Sequence, residues 1–271
     1  MSARLLDAAA CGAFRALHFL LRLLPVRFIL DWPCPFLLQP VAQLLLGRRA
    51  RSTLQAALAG LHERGCRPGI LDKLVQESSL HMARALALFL RLPVEETELR
   101  EMVTLDRESG EELSKDLAAG GCVLVSAHFG AFELIIPALV ALLPTSFEGK
   151  EIVVPFKPLH LGNLNKLVLE HRGQISAGRC SFVPAKGSMP LLETTLASGG
   201  VVGMLPDQRG ASHHPCLPFL GRDCRYACLS RDGARLLFVS APVPHFIPSV
   251  AKPTRTRGKG TCKNVDYHGI L

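Results

Sequence analysis

The sequence predicts an α/β protein with a mainly parallel central sheet flanked by helices, preceded by an N-terminal helical membrane-associating region. Three observations predict this class. Short apolar segments alternate with segments of helical length in the second half of the chain. One of them, at residues 122–127, is apolar on both faces, as buried parallel strands are. The first forty-odd residues combine many leucines with a basic edge, which is typical of membrane-surface helices.

Composition limits the classes of protein and partner. The 271 residues can form one large domain, and 48% of them are hydrophobic. The formal net charge of +8 suits an anionic membrane surface, an acidic protein or nucleic acid. With two Tyr and one Trp, the chain lacks the aromatic surface of a single-strand binder. We therefore expect a membrane and an acidic protein as partners, and no nucleic acid.

The nine cysteines follow no regular framework, which favours free thiols in a reducing compartment. Cys216, Cys224 and Cys228, preceded by His213 and His214, form the one grouping that invites a metal interpretation. Their spacing does not match a zinc knuckle or ribbon. The sequence therefore predicts no metal site.

Residues 1–47 are interpreted as an amphipathic anchor. Polar residues follow one another at helical steps and form a single stripe: Arg4, Asp7, Cys11, Arg15, His18 and Arg22. Charged residues interrupt every apolar run before it reaches the ~18 residues of a clear membrane span. Pro33, Pro35 and Pro40 are expected to break the segment that follows. We expect an in-plane or poorly spanning anchor on the cytoplasmic face; the alternative is an ordinary helix docked on the catalytic domain.

The remainder, residues 48–271, is expected to form one domain. It divides into a helical lead-in at 48–117, an α/β core at 118–250 and a basic tail at 251–271. The predicted strands are at 122–127, 151–156, 180–184, 201–205 and 242–247. The predicted helices of the core are at 132–143, 161–171, 188–197 and 230–238.

Two predicted strands end beside groups that can do chemistry. His128 follows the first strand, and Asp207 follows the strand at 201–205. The carboxyl ends of parallel strands meet at one edge of the sheet, where ligands bind, so both residues are expected at a single site. Glu133 lies five residues after His128 and could fold back onto the imidazole, which would raise the basicity of the other ring nitrogen. The alternative is a buried histidine bonded to backbone, with Glu133 favouring the helix dipole.

The block His128-Phe-Gly-Ala-Phe-Glu133, after a Val-Leu-Val-Ser-Ala strand, resembles the His-x4-Asp/Glu block of the lysophospholipid acyltransferase superfamily. It is most similar to the bacterial lipid A biosynthesis acyltransferases of the late, lauroyl or myristoyl type. Further similar segments follow in order, at residues 153–166, 204–208, 218–221 and 241–246, so the resemblance covers roughly residues 53–247. The chain has Ala131-Phe132 where the family usually has Asn-Trp, and nothing after residue 250 resembles it.

The resemblance implies a reaction and roles for residues. His128 would take the proton of an acceptor hydroxyl, with Glu133 orienting the imidazole, and the hydroxyl would attack the thioester of acyl carrier protein without a covalent intermediate. Asp207 and Gln208 would position substrate. Other residues, carried over loosely by position, would hold phosphate or sugar oxygens of the acceptor: Lys157, Asn163 and Arg172. No metal or organic cofactor is needed.

The implied acceptor is a lipid A precursor of lipopolysaccharide biosynthesis at the cytoplasmic face of the inner membrane. A lysophospholipid or another glycolipid is the alternative acceptor. A catalytically inactive binding homologue with the same fold is the third interpretation. The chain has no Gly-x-Ser-x-Gly elbow, P-loop or HExxH motif that would favour other chemistry.

Overall fold

A computed structural model describes residues 3–59, 69–93, 95–128, 130–207, 216–219, 222–225 and 235–238. It confirms the α/β class: a parallel sheet is surrounded by helices, and an N-terminal set of apolar helices precedes it.

The N-terminal helices form an almost continuous series. They are α1 (Ala3–Arg22), α2 (Val26–Asp31), a π-helical segment (Cys34–Leu38) and α3 (Gln39–Ala59). The prediction that prolines break this stretch is wrong. Pro33 and Pro35 lie at the start of the π-helical turn and Pro40 in the first turn of α3, positions that tolerate a missing amide hydrogen. As a result, Val26–Ala56 has the length and composition of a membrane-crossing helix. Only 17% of its apolar 18-residue stretch is buried inside the protein.

Three further helices lie between α3 and the sheet in the described residues. They are α4 (Ile70–Arg91), α5 (Glu96–Met102) and α6 (Arg107–Ala118). Gly69, with φ of +83°, directly precedes α4. The Asp106 carboxylate accepts a hydrogen bond from the Ser109 amide and so caps α6.

Within the described residues, five parallel strands form the central sheet in the order β3-β2-β4-β1-β7. Their bounds are β1 (Cys122–Val125), β2 (Ile152–Phe156), β3 (Cys180–Pro184), β4 (Val201–Met204) and β7 (Arg235–Phe238). A separate antiparallel hairpin joins β5 (Cys216–Phe219) and β6 (Arg222–Arg225). The sheet helices are α7 (Ile135–Leu142), α8 (Gly162–Ile175) and α9 (Met189–Ala197), and short 3₁₀ turns cover Phe132–Leu134 and Pro144–Phe147.

The strand β7 differs from the sequence prediction, which placed a helix at 230–238. Arg235–Phe238 instead pairs in parallel with β1, with Val123 opposite Leu236 and Val125 opposite Phe238. A short apolar run can form a helix or a strand. Here it forms a strand because it pairs with the edge of the buried strand β1. The strand predicted at 242–247 lies outside the described residues.

Close packing holds β1 in place. All four of its residues are buried, and a Cβ added to Gly121 would collide with the carbonyl oxygen of Leu196. The N-terminal helices belong to the same packed body, since Ile29 and Leu30 share a buried cluster with Leu134 and Ala138. The elements around the sheet edge are therefore fixed by the core on several sides.

Candidate functional site at the carboxyl edge of the sheet

Strand register brings His128 and Asp207 together. Strands β1 and β4 are neighbours, with Val125 opposite Met204, the last residue of each strand. His128 lies three residues beyond Val125, and Asp207 lies three residues beyond Met204. Because each residue lies three positions beyond a paired strand end, His128 and Asp207 meet at the carboxyl edge of the sheet. The strand pattern predicted this position for both residues.

The Asp207 carboxylate contacts His128 at two points. Its Oδ1 lies 2.8 Å from the imidazole Nδ1, and its Oδ2 accepts a hydrogen bond of 2.8 Å from the His128 amide. Burial alone would raise the pKa of Asp207, but the hydrogen bonds from the His128 ring and amide outweigh it and hold this pKa below 3.8. Asp207 is thus an anion at neutral pH.

The contact determines the tautomer of His128. With an anionic acceptor at Nδ1, the ring carries its proton there and donates it to Asp207, which makes Nε2 the basic nitrogen. Each of the two side chains keeps 35% of its surface exposed, so solvent and ligands can reach the pair. The geometry suits a general base that is held in position by a carboxylate.

This result corrects the expected role of Glu133. We expected the Glu133 carboxylate at the imidazole, whereas the carboxylate at Nδ1 belongs to Asp207. Glu133 instead pairs with Arg172: Oε1 lies 2.5 Å from Nη2, and Nε lies 3.2 and 3.3 Å from the two carboxylate oxygens. A forked guanidinium on a largely buried carboxylate is a stronger partner than a neutral imidazole.

A turn lies between His128 and Glu133. Gly130 has φ of +62°, and Ala131 has non-helical angles, so the chain turns before the 3₁₀ segment that carries Glu133. This is the arrangement that we expected, with His128 on the turn and Glu133 in the first helical turn, but the Glu133 carboxylate is held by Arg172 instead of folding back onto the imidazole. The ring of Phe132 packs edge-on to the imidazole at 4.9 Å between centroids and forms an apolar wall of the site.

Arg172 is fixed from three directions. Besides Glu133, its guanidinium lies 5.9 Å from the ring centroids of both Phe89 and Phe182. Its side chain is 23% exposed and that of Glu133 18%. The pair therefore joins α8 to the turn after His128, and the phosphate-holding role expected of Arg172 would compete with Glu133.

The other expected binding residues are more peripheral. Lys157 is exposed directly after β2. Asn163 is exposed in the first turn of α8, where its backbone amide donates a hydrogen bond to the carboxylate of Asp7, 2.9 Å away. Gln208 lies outside the described residues.

The hairpin of β5 and β6 contains Cys216 and Cys224, two of the cysteines that invited a metal interpretation. Cys216 lies opposite Arg225, and Leu217 lies opposite Cys224. His213, His214 and Cys228 lie outside the described residues. Within the part of the chain that the structure describes, no group of three or more His, Cys, Asp or Glu side chains could hold a metal ion.

Two contacts of the site were missed from the sequence. The sequence placed Asp207 at the site but did not identify it as the partner of His128. Each of the two residues lies three positions beyond the end of its strand, which could have indicated the contact. That indication is useful only if β1 and β4 are known to be neighbours. Asp7, which lies against α8, gave no signal beyond its place in the polar stripe of α1.

No protein-family model matches the chain, and no curated protein matches it. We therefore interpret the site from its own geometry and from the motif around His128.

Proposed function

We propose that this protein is a membrane-associated O-acyltransferase. It transfers a fatty acyl chain from acyl carrier protein to a hydroxyl group of a lipid A precursor, at the cytoplasmic face of the inner membrane. The observation that carries the proposal is the His128–Asp207 pair at the carboxyl edge of a parallel sheet, with His128 inside the block that resembles that of the acyltransferases.

The pair supports direct attack by the acceptor. Nε2 of His128 removes the proton of the acceptor hydroxyl as its oxygen attacks the thioester carbonyl carbon. The tetrahedral intermediate then collapses, the carbon–sulfur bond breaks, and the thiolate takes the proton from the imidazolium. The products are an acyl ester and the free thiol of the carrier protein. Asp207 holds the ring and stabilises its positive charge throughout.

The developing oxyanion needs hydrogen-bond donors. The amide of His128 itself is bonded to Asp207, so it does not serve. The backbone amides that begin the 3₁₀ turn after His128 are the donors we propose. Arg172 and Glu133 keep that turn in place from the side of α8.

Surface properties support the membrane and the donor. Apolar side chains of the N-terminal helices are widely exposed, among them Phe19 at 64%, Trp32 at 63% and Leu44 at 83%. The net charge of +8 favours an acidic donor protein and an anionic lipid surface.

Acyl transfer assays test the proposal. Purified protein in detergent is incubated with labelled acyl carrier protein and a Kdo-bearing lipid A precursor, beside the variant His128→Ala. We expect labelled product from the wild type and a loss of about 10²–10⁴-fold in the variant.

The other outcomes separate the alternatives. Transfer to a lysophospholipid or another glycolipid, but not to the lipid A precursor, would reassign the acceptor and keep the chemistry. Activity that survives in His128→Ala would overturn the assignment of the base. A folded wild type that transfers to none of these acceptors would support the inactive binding homologue.

A further inference from the structure

Helix α1 turns part of its polar stripe towards the protein, namely Asp7, Cys11 and His18, while the three arginines of the stripe stay exposed. Asp7 is 8% exposed and Cys11 9%, whereas Leu5, Phe19 and Leu20 are 62%, 64% and 54% exposed. A helix that covers a core normally buries its apolar side. The inner face of α1 therefore makes specific polar contacts and leaves a large apolar face uncovered.

The first inner contact caps α8. Helix α8 follows Leu161, which has no side-chain acceptor for the amides of the first turn. The Asp7 carboxylate supplies it from the other end of the sequence: its Oδ2 accepts from the Asn163 amide at 2.9 Å, and its Oδ1 from the Leu164 amide at 3.0 Å. A carboxylate at this end also complements the helix dipole.

The second inner contact lies further along α1. His18 Nδ1 lies 2.6 Å from the carbonyl oxygen of Leu90, near the end of α4. Its ring also meets that of His171 at 5.0 Å, and His171 bonds through Nε2 to the Phe89 carbonyl oxygen at 2.7 Å. Asp7 and His18 contact α8 near its start and near its end, so α1 and α8 run parallel.

These contacts lead to the site. His171 directly precedes Arg172, whose guanidinium holds Glu133 in the turn after His128. The start of α8 faces the same sheet edge, because α8 follows the carboxyl end of β2. The position of Arg172 at the site therefore depends on a helix that α1 caps and packs against.

The uncovered face of α1 fits a lipid bilayer. Exposed arginines flank the apolar surface of the N-terminal helices, and they are Arg4, Arg15, Arg22, Arg27, Arg48, Arg49 and Arg51. Asp31 is the exposed acid between them. This combination of apolar area and positive charge is complementary to anionic phospholipid.

We propose that α1 is a membrane-coupled positioning element: anionic lipid holds its apolar face, while Asp7 caps α8 and thereby keeps Arg172 on Glu133. The activity part of this inference rests on the proposed acyl transfer; the capping and lipid parts do not. Asp7 is a positioning residue and does not touch substrate.

Hydrogen exchange of the full-length protein tests the cap. Exchange of the amides at 162–165 is followed by mass spectrometry in wild type, Asp7→Ala, Asp7→Asn and the control Asp31→Ala. We expect about tenfold faster exchange in Asp7→Ala, because its first-turn amides lose their acceptor. Asp7→Asn retains one acceptor oxygen in place of two, so its exchange is expected to lie between those of the wild type and Asp7→Ala. Equal exchange in Asp7→Ala and Asp31→Ala would overturn the cap.

Vesicles test the coupling. Phosphatidylglycerol vesicles, compared with phosphatidylcholine vesicles, are expected to slow exchange at 162–165 in wild type by about threefold or more. The double variant Phe19→Ser/Leu20→Ser, which leaves the inner face of α1 intact, is expected to lose this effect. Vesicle binding by the wild type without any change at 162–165 would overturn the coupling.

Kinetics then connect the cap to the site. Asp7→Ala is expected to lower kcat about tenfold with little change in KM, and Asp7→Asn, which keeps one of the two acceptors, to lower it less. An unchanged kcat in Asp7→Ala with faster exchange would refute the positioning role. If the wild type transfers no acyl group, the proposed function fails, while the exchange and vesicle results still decide the cap and the coupling.

Discussion

Oδ1 of Asp207 lies 2.8 Å from Nδ1 of His128, although 79 residues separate the two in the sequence. The second oxygen of the same carboxylate holds the His128 amide, so one side chain fixes both the ring and the backbone of its partner. This two-point contact is the feature of the site on which the proposed acyl transfer depends.

Asp207→Asn is expected to lower kcat for acyl transfer by about 10²–10⁴-fold, because an amide neither favours the Nδ1–H tautomer nor stabilises the imidazolium. Single-turnover transfer measures the effect, with Asp31→Asn as a control for loss of a charge. If Asp207→Asn were active and Glu133→Gln inactive, the orienting role would return to Glu133.

The Glu133–Arg172 pair is expected to stabilise the fold. A double-mutant cycle of Glu133→Gln and Arg172→Gln, measured by denaturant unfolding, should give a coupling of about 0.5–3 kcal/mol, since both side chains are mostly buried. The exposed pair Arg107–Glu111 provides a matched control, for which about 0.3–0.5 kcal/mol is expected. Equal coupling in the two cycles would contradict a special role for the buried pair.

The stability of the protein is expected to fall in weak acid through His171. Burial lowers the pKa of His171 below 6.5, despite opposing contributions from the Phe89 carbonyl and Glu133; His18 and Arg172 lower it further. The folded state therefore resists protonation of this ring. Its contribution to the free energy of unfolding is full above pH 6.5 and is lost as the pH falls through the folded pKa.

Thermal unfolding between pH 7.5 and 5 measures this effect. The variant His171→Gln, which keeps a donor for the Phe89 carbonyl, should lose less stability over this range than the wild type. The exposed His160→Gln serves as the control. A wild-type decline that His171→Gln leaves unchanged would assign the acid sensitivity to other groups.

Gly121→Ala is expected to destabilise the protein by about 1–3 kcal/mol, because the new methyl group would meet the Leu196 backbone and force β1 away from α9. Gly173→Ala is the matched control: nothing lies within 4 Å of the added Cβ, and the helix should gain about 0.5–1 kcal/mol. Chemical denaturation of the two variants measures both values. A neutral Gly121→Ala would contradict the close approach.

Local patterns predicted much of the fold. The strands beginning near Cys122, Ile152, Cys180 and Val201 follow from short apolar runs between turn residues, and their ends place His128 and Asp207 on one edge. The order of strands does not follow from such patterns, because it is determined by contacts between distant segments. The partner of His128 depended on that order.

Other differences have local causes. The helix predicted at 230–238 was wrong at Arg235–Phe238, where pairing with β1 outweighed a short ambiguous run. The prolines after Asp31 did not end the helix, because a π-helical turn accommodates them. The polar stripe of α1 was identified from its spacing, but the direction it faces depends on acceptors and donors in α4 and α8.

The equal extensions beyond Val125 and Met204 constrain loop length more than loop sequence. A substitution between either strand end and the site can keep the length of the backbone path, whereas one inserted or deleted residue would move one side chain out of contact with the other. During divergence, the two loops can therefore change their residues independently, but a change of length in one requires a compensating change in the other. In a designed variant of this site, the number of residues in each loop is the first quantity to preserve.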